Sequence, residues 1–143
     1  FRDDRPHLKR AQALYRSSET IKRNVEVLGE LADRAFRRVL RRATFLWHPA
    51  RIDNGTFSVI EAGAMGVPSL SSDYPAMHEI DSRFGLNLSW FDPDDPRDMA
   101  MKLKLMEQRH ADLRRHLPSD QLRRELRADH VARAYWQTVK EFA

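Results

Sequence analysis

The chain has 143 residues, 25 Lys and Arg against 21 Asp and Glu, no Cys and a formal net charge of +4. The length suits one domain of ordinary size, and the missing Cys excludes disulfide staples, thiolate metal sites and thiol catalysis. A composition 41% hydrophobic and 32% charged reads as folded, and no apolar run approaches a membrane span of about 20 residues.

In chain order, the sequence opens on Phe1 with no secretory signal, so it reads as a fragment, a processed chain or a truncated piece. Leu8, Ala11 and Tyr15 have helical spacing. Residues 1–23 therefore read as an N-terminal helical segment, and 24–143 as the main domain. Asn24-Val25-Glu26-Val27-Leu28-Gly29 reads as a short strand. Asp33 is a suitable N-cap for a helix whose face carries Ala35, Phe36, Val39, Leu40 and Ala43. Thr44 to Trp47 is an apolar run of strand length that stops at His48-Pro49, and Arg51 to Thr56 is a loop. Phe57 to Met65 is apolar nearly all round and ends at Gly66, which predicts a buried helix. Val67 to Ser72 reads as a strand with Pro68 at its start, Asp73 to Ala76 as a turn, and Leu86 to Phe91 as another strand. Asp92 to Pro96 opens a helix with Met99, Leu103 and Met106 on its core face. Helical stretches around 110–117 and 120–142 follow, parted by Pro118.

Strands alternating with helices predict an α/β fold, a Rossmann-like parallel sheet with helices on both faces. Ligands in such sheets bind at the carboxyl ends of the strands, which is where the loop from His48 to Thr56 falls.

Charge is uneven along the chain. Residues 1–42 carry 12 basic and 6 acidic side chains, 43–100 carry 3 and 9, and 101–143 carry 10 and 6. The pI near 9.8 therefore belongs to the flanks. Arginines pair at 37–38, 41–42, 114–115 and 123–124 on helical patterns. Two readings stay open: solvated helix faces, or attraction to phosphate-bearing ligands or an anionic membrane surface. Nucleic acid is not an expected partner, because a single basic face with interleaved aromatics is not apparent.

Glu61 is a carboxylate inside an apolar stretch, which is costly unless something pairs with it. Either the helix N-terminus or a backbone amide stabilises it, or it accepts bonds from a vicinal diol such as a ribose. Asp53 is eight positions earlier, in turn chemistry with Asn54-Gly55. A helix N-terminus suits a phosphate, and flanking carboxylates suit sugar hydroxyls, so the set matches a nucleotide-sugar. No metal site is expected, since none of the six His falls in a ligand pattern. Asp92, Asp94, Asp95 and Asp98 read as helix capping.

The ordered set Phe45-Leu46-Trp47-His48-Pro49, Asp53-x7-Glu61-Ala62, Gly66-Val67-Pro68 and Ser72-Asp73-x-Pro75-x3-Glu79 resembles the C-terminal domain of retaining GT-B glycosyltransferases of the group 1 type. Their signature is a Glu-x7-Glu pair, in which Asp53 here replaces the first Glu. The resemblance covers roughly residues 24–142. It implies the partial C-terminal half of a GT-B architecture, a nucleotide-sugar-binding domain. The implied activity is transfer of a sugar from a nucleotide-sugar to an acceptor with retention, in polysaccharide or glycolipid biosynthesis, this fragment alone being inactive.

In that resemblance Asp53 is the catalytic carboxylate that holds hydroxyls of the donor sugar. Glu61 binds the ribose. The amides of Phe57 and Ser58 face the diphosphate, Gly55 and Thr56 form the close-approach loop, and His48 and Glu79 border the donor. A UDP- or GDP-sugar serves as substrate and no metal or other cofactor is required. The alternative is a non-catalytic nucleotide-sugar-binding or regulatory module of the same fold. The family's Gly-rich loop and its Arg/Lys pair for the diphosphate have no counterpart here, and the acceptor-binding N-terminal domain is missing from the 143 residues. The expected location is cytoplasmic, with basic flanks compatible with peripheral contact at the inner face of an anionic membrane.

Overall fold

The protein is described by a computed structural model over residues 6–51 and 57–141. The chain divides into two compact units, Phe1–Asp33 and Arg34–Ala143.

The first unit holds α1 (Pro6–Ser17) and α2 (Glu19–Asn24). Ser18 separates them because its hydroxyl accepts from the Ile21 N–H at 3.3 Å, a side-chain cap for α2. The expected strand at 24–29 is not formed. Asn24 ends α2, where its amide donates to the Thr20 carbonyl at 2.8 Å, and residues 25–29 have no regular structure. An extended segment needs a neighbouring strand for its backbone groups, and Val25, Val27 and Leu28 stay 47%, 72% and 43% exposed.

The second unit carries the sheet. Its elements are α3 (Asp33–Arg42), β1 (Leu46–His48), α4 (Phe57–Ala64), β2 (Ser69–Ser72), α5 (Pro75–Phe84), β3 (Ser89–Phe91), α6 (Pro96–Arg115), α7 (Ser119–Glu125) and α8 (Ala128–Glu141). The strands are parallel in the order β1-β2-β3, with Leu46 beside Ser69 and Leu70 beside Ser89. The central strand β2 is buried at all four positions.

Alternation along the strands sorts the core. Leu46 and Trp90 pack with Val59 and Ile60 of α4, Met77 of α5 and Leu122 of α7 on one face. Leu70 and Phe91 pack with Met99, Leu103 and Met106 of α6 on the other. Helices therefore cover both faces, as the sequence predicts. Leu40 ties α3 to Ala62 and to Val67 ahead of β2.

The approach of α4 is close because its inner positions are small. A Cβ on Gly63 would lie 2.8 Å from Leu86 Cδ2 and 3.0 Å from Leu122 Cδ1, so glycine is what the packing admits.

Three boundaries differ from expectation. The turn expected at 73–76 runs straight into α5, with Pro75 opening the helix and Gly85 at φ 60° closing it. Residues 110–115 belong to α6 rather than to a separate helix. The last stretch is two helices, because α7 ends at Glu125 and α8 starts at Ala128. No helix among the described residues is long and apolar enough to cross a membrane.

Candidate functional site

Chemistry-bearing side chains gather in two places, both within the second unit. The first is the carboxyl end of the sheet. His48 is buried there, its Nδ1 3.3 Å from the Ser71 hydroxyl. The Ser72 hydroxyl donates to the His48 carbonyl at 3.5 Å. Beside them the exposed His78 lies with Nε2 2.7 Å from Asp73 Oδ1 and its ring 4.2 Å from that of Trp90. Arg51, at the start of the loop after β1, donates to the Pro93 carbonyl at 3.3 Å and pairs with Asp94. Asp95 caps α6 by accepting from the Arg97 N–H at 2.8 Å, and Asp98, in the first turn of α6, accepts from the Asp92 N–H at 2.9 Å.

The second place is the outer face of α4. Phe57, Ile60, Glu61, Ala64 and Met65 follow the i, i+3, i+4 rule, so they share one side of the helix. Arg37 and Arg41 face them from α3, and Arg123, Leu126 and Arg127 from α7 and the turn after it. Together these residues line a cleft of about 640 Å³. Its floor is apolar, because Ile60 and Ala64 are buried, while Phe57 stands 69% exposed at the start of α4. Phe57 and Ser58 open the helix, so their N–H groups have no partner within it.

The cleft sets four guanidinium groups against one carboxylate. Arg123 is fixed by an Nη1 bond to the Ala64 carbonyl at 2.9 Å and by pairing with Asp120. Arg127 donates from Nε to Asp129 Oδ1 at 2.9 Å, and Arg133 reaches the same carboxylate at 3.0 Å. The Arg127 hydrogen bond holds the Asp129 carboxyl below its ordinary pKa, and Arg115 does the same to Asp112. By contrast, no side-chain hydrogen bond or ion pair engages Arg37, Arg41 or Glu61 among the described residues. A half-buried carboxylate left unpaired among four arginines is positioned to accept bonds from a ligand.

Of the residues singled out from sequence, Phe57 and Glu61 come together in this cleft. His48 sits apart at the end of β1, and Glu79 is exposed on α5 and does not line the cleft. Asp53, Gly55 and Thr56 lie outside the described residues. No group of three His, Asp or Glu that could hold a metal occurs among the described residues. The convergence of the arginines was not foreseen. Its signal was the i, i+4 spacing of Arg37 with Arg41 and of Arg123 with Arg127, but spacing on separate helices does not show that they meet.

Compared with known proteins, residues 3–108 match the family model described as glycosyl transferases group 1. No curated protein and no solved structure matches the chain. The matched segment starts earlier than the motifs suggested and ends inside α6, so α7 and α8 lie beyond it.

Proposed function

The chain belongs to the group 1 glycosyl transferases, and we propose that it is the donor-binding, C-terminal half of a retaining GT-B enzyme that uses a nucleotide-sugar. The observation that carries this reading is Glu61, a carboxylate with no side-chain partner among the described residues, in a concave, basic and partly apolar cleft. A carboxylate accepts two hydrogen bonds from a vicinal diol, and charge-assisted bonds of this kind are the strong ones. Glu61 therefore takes the ribose. The free N–H groups and positive dipole end of α4, at Phe57 and Ser58, favour the diphosphate.

Asp53 then holds hydroxyls of the donor sugar near the reacting carbon. Gly55 and Thr56 let the chain approach the donor closely, and His48 and Glu79 border it from β1 and α5. The reaction separates a diphosphate from a sugar that becomes oxocarbenium-like, so preorganised donors and cations at the diphosphate lower the barrier. The reading needs no metal. It puts the acceptor on another domain and the enzyme in the cytoplasm, with basic flanks suited to an anionic membrane face.

Sugar transfer by the complete enzyme from UDP- and GDP-sugars tests this. Asp53→Asn and Glu61→Gln should each lower kcat/KM by about 100-fold or more, and the product should keep the donor's anomeric configuration by proton NMR. Activity surviving both substitutions would reject the reading. It would favour a non-catalytic module of the same fold, to which Asp53 in place of Glu points.

A further inference from the structure

Helix α3 carries arginines at 34, 37, 38, 41 and 42 and a single acid, Asp33, at its first residue. The helical repeat puts all the arginines in one arc of about 140°, turned away from the buried Leu40. Arg37 and Arg41 lean to the cleft, whereas Arg34, Arg38 and Arg42, spaced i, i+4 and i+8, form an outer row. We propose that this outer row docks the protein on an anionic lipid surface, with Val39 and Phe36 at its margin entering the headgroup layer. Such docking rests on the anionic-membrane part of the reading above and needs nothing from the donor site.

The arginines of α3 differ from those elsewhere on the surface. Arg115 pairs with Asp112, Arg123 with Asp120 and Arg133 with Asp129, each an acid three or four residues away. The arginines of α3 have no hydrogen bond or ion pair among the described residues. They face one another instead. Positions 34 and 37, 34 and 38, 37 and 41, 38 and 41, and 38 and 42 are three or four apart, and like charges at these spacings weaken a helix. An anionic surface turns that repulsion into shared attraction, and each basic side chain near such a leaflet strengthens binding by about fivefold.

The apolar margin chooses among polyanions. Val39 borders the outer row, and Phe36, three residues before it, follows on the same side; they are 44% and 37% exposed. Against a nucleic-acid backbone both would stay in water, whereas at the boundary of headgroups and acyl chains both lose that contact. Among the described helices of eight residues or more, α3 also separates apolar from charged side chains most sharply. That is the pattern of a helix lying in a lipid interface, here with its Leu40 side held by Ala62 and Val67. Because Arg37 and Arg41 line the cleft from the same helix, docking brings the cleft to the lipid surface.

Sedimentation of the full chain at low salt with vesicles of phosphatidylglycerol and phosphatidylcholine, in a ratio of about 1:2, reads out the proposal. The chain should bind these vesicles and not pure phosphatidylcholine. Arg34→Gln with Arg38→Gln and Arg42→Gln should lower the partition coefficient by at least about tenfold. Arg83→Gln with Arg97→Gln and Lys104→Gln removes the same charge from exposed positions of α5 and α6, and should lower it by less than about threefold. The sequence has no Cys, so Val39→Cys gives a single site for an environment-sensitive dye. Its emission should shift to the blue on anionic vesicles, and the same dye at Ser82→Cys, on α5, should not shift. All the substituted positions are exposed, so the variants should fold, which circular dichroism checks.

Equal losses in the two triple variants would overturn the docking face while the anionic-membrane reading stood. So would a blue shift at position 82 with none at 39. No binding to the anionic vesicles by the unmodified chain would overturn both. Tighter binding to duplex DNA than to vesicles, lost in the α3 variant, would assign these arginines to nucleic acid and overturn the proposal.

Discussion

The carboxyl end of the sheet and the outer face of α4 are both rich in polar side chains, and they use them differently. At the strand ends His48, Ser71 and Ser72 are buried and bonded to one another or to backbone. On the outer face Arg37, Arg41 and Glu61 have no side-chain partner among the described residues and line a cleft. Polar groups buried with partners hold a fold together, because leaving one unsatisfied is expensive. Charged groups gathered without partners in a concave, partly apolar place contribute little to stability and are available to a ligand. Among the described residues, the buried His48, Ser71 and Ser72 and the exposed His78–Asp73 and Arg51–Asp94 pairs at the strand ends already have partners, while Arg37, Arg41 and Glu61 on the outer face do not.

The sharpest contrast is within α4 itself. Gly63→Val places atoms where Leu86 and Leu122 already are, and should destabilise the protein by about 2–3 kcal/mol in urea unfolding. Glu61→Gln, on the opposite side, should change stability by less than about 0.5 kcal/mol. If Glu61→Gln unfolds as readily as Gly63→Val, Glu61 is a structural residue and the comparison breaks. Next in size, Ser71→Ala removes a hydroxyl partner of the buried His48 and should cost about 1–2 kcal/mol. Nucleotide affinity should fall less in this variant than in Arg37→Gln with Arg41→Gln.

The smallest effects concern Asp129 and Asp112. Arg127 lowers the pKa of Asp129 in the folded protein, so its contribution to stability is present above the unfolded value of about 4. That contribution is lost as pH falls through the lower folded value. Asp112, lowered by Arg115, follows the same sign. Asp129→Asn with Asp112→Asn should therefore flatten the loss of stability below about pH 4, measured as the thermal midpoint against pH.

Much of this was legible in the sequence, and the rest failed for local reasons. The α/β class, the helix from Phe57 and the capping before α6 follow from apolar spacing and from Asp and Pro at helix starts. Helix α5 was missed because Asp73-Tyr74-Pro75 reads as turn chemistry. The better signal was Pro75 and Gly85 bracketing Met77, Ile80 and Phe84, all on the core. The strand expected at 24–29 failed because β-propensity describes a surface to be paired, not a backbone that pairs itself. Glu61 was legible because a carboxylate in an apolar stretch demands a reason. Its arginine neighbours were not, since Arg37 and Arg123 meet only through the packing of α4 against α3 and α7.

The central claim is that the outer cleft of α4 receives the donor's nucleotide. Titrating the isotope-labelled full chain with UDP, GDP and ADP, and following its amide and arginine side-chain NMR signals, tests that claim most directly. The account predicts saturable shifts for at least one nucleotide, concentrated on Arg37, Arg41, Phe57, Glu61, Arg123 and Arg127. Saturable shifts confined to other residues, or none with any nucleotide, would contradict it.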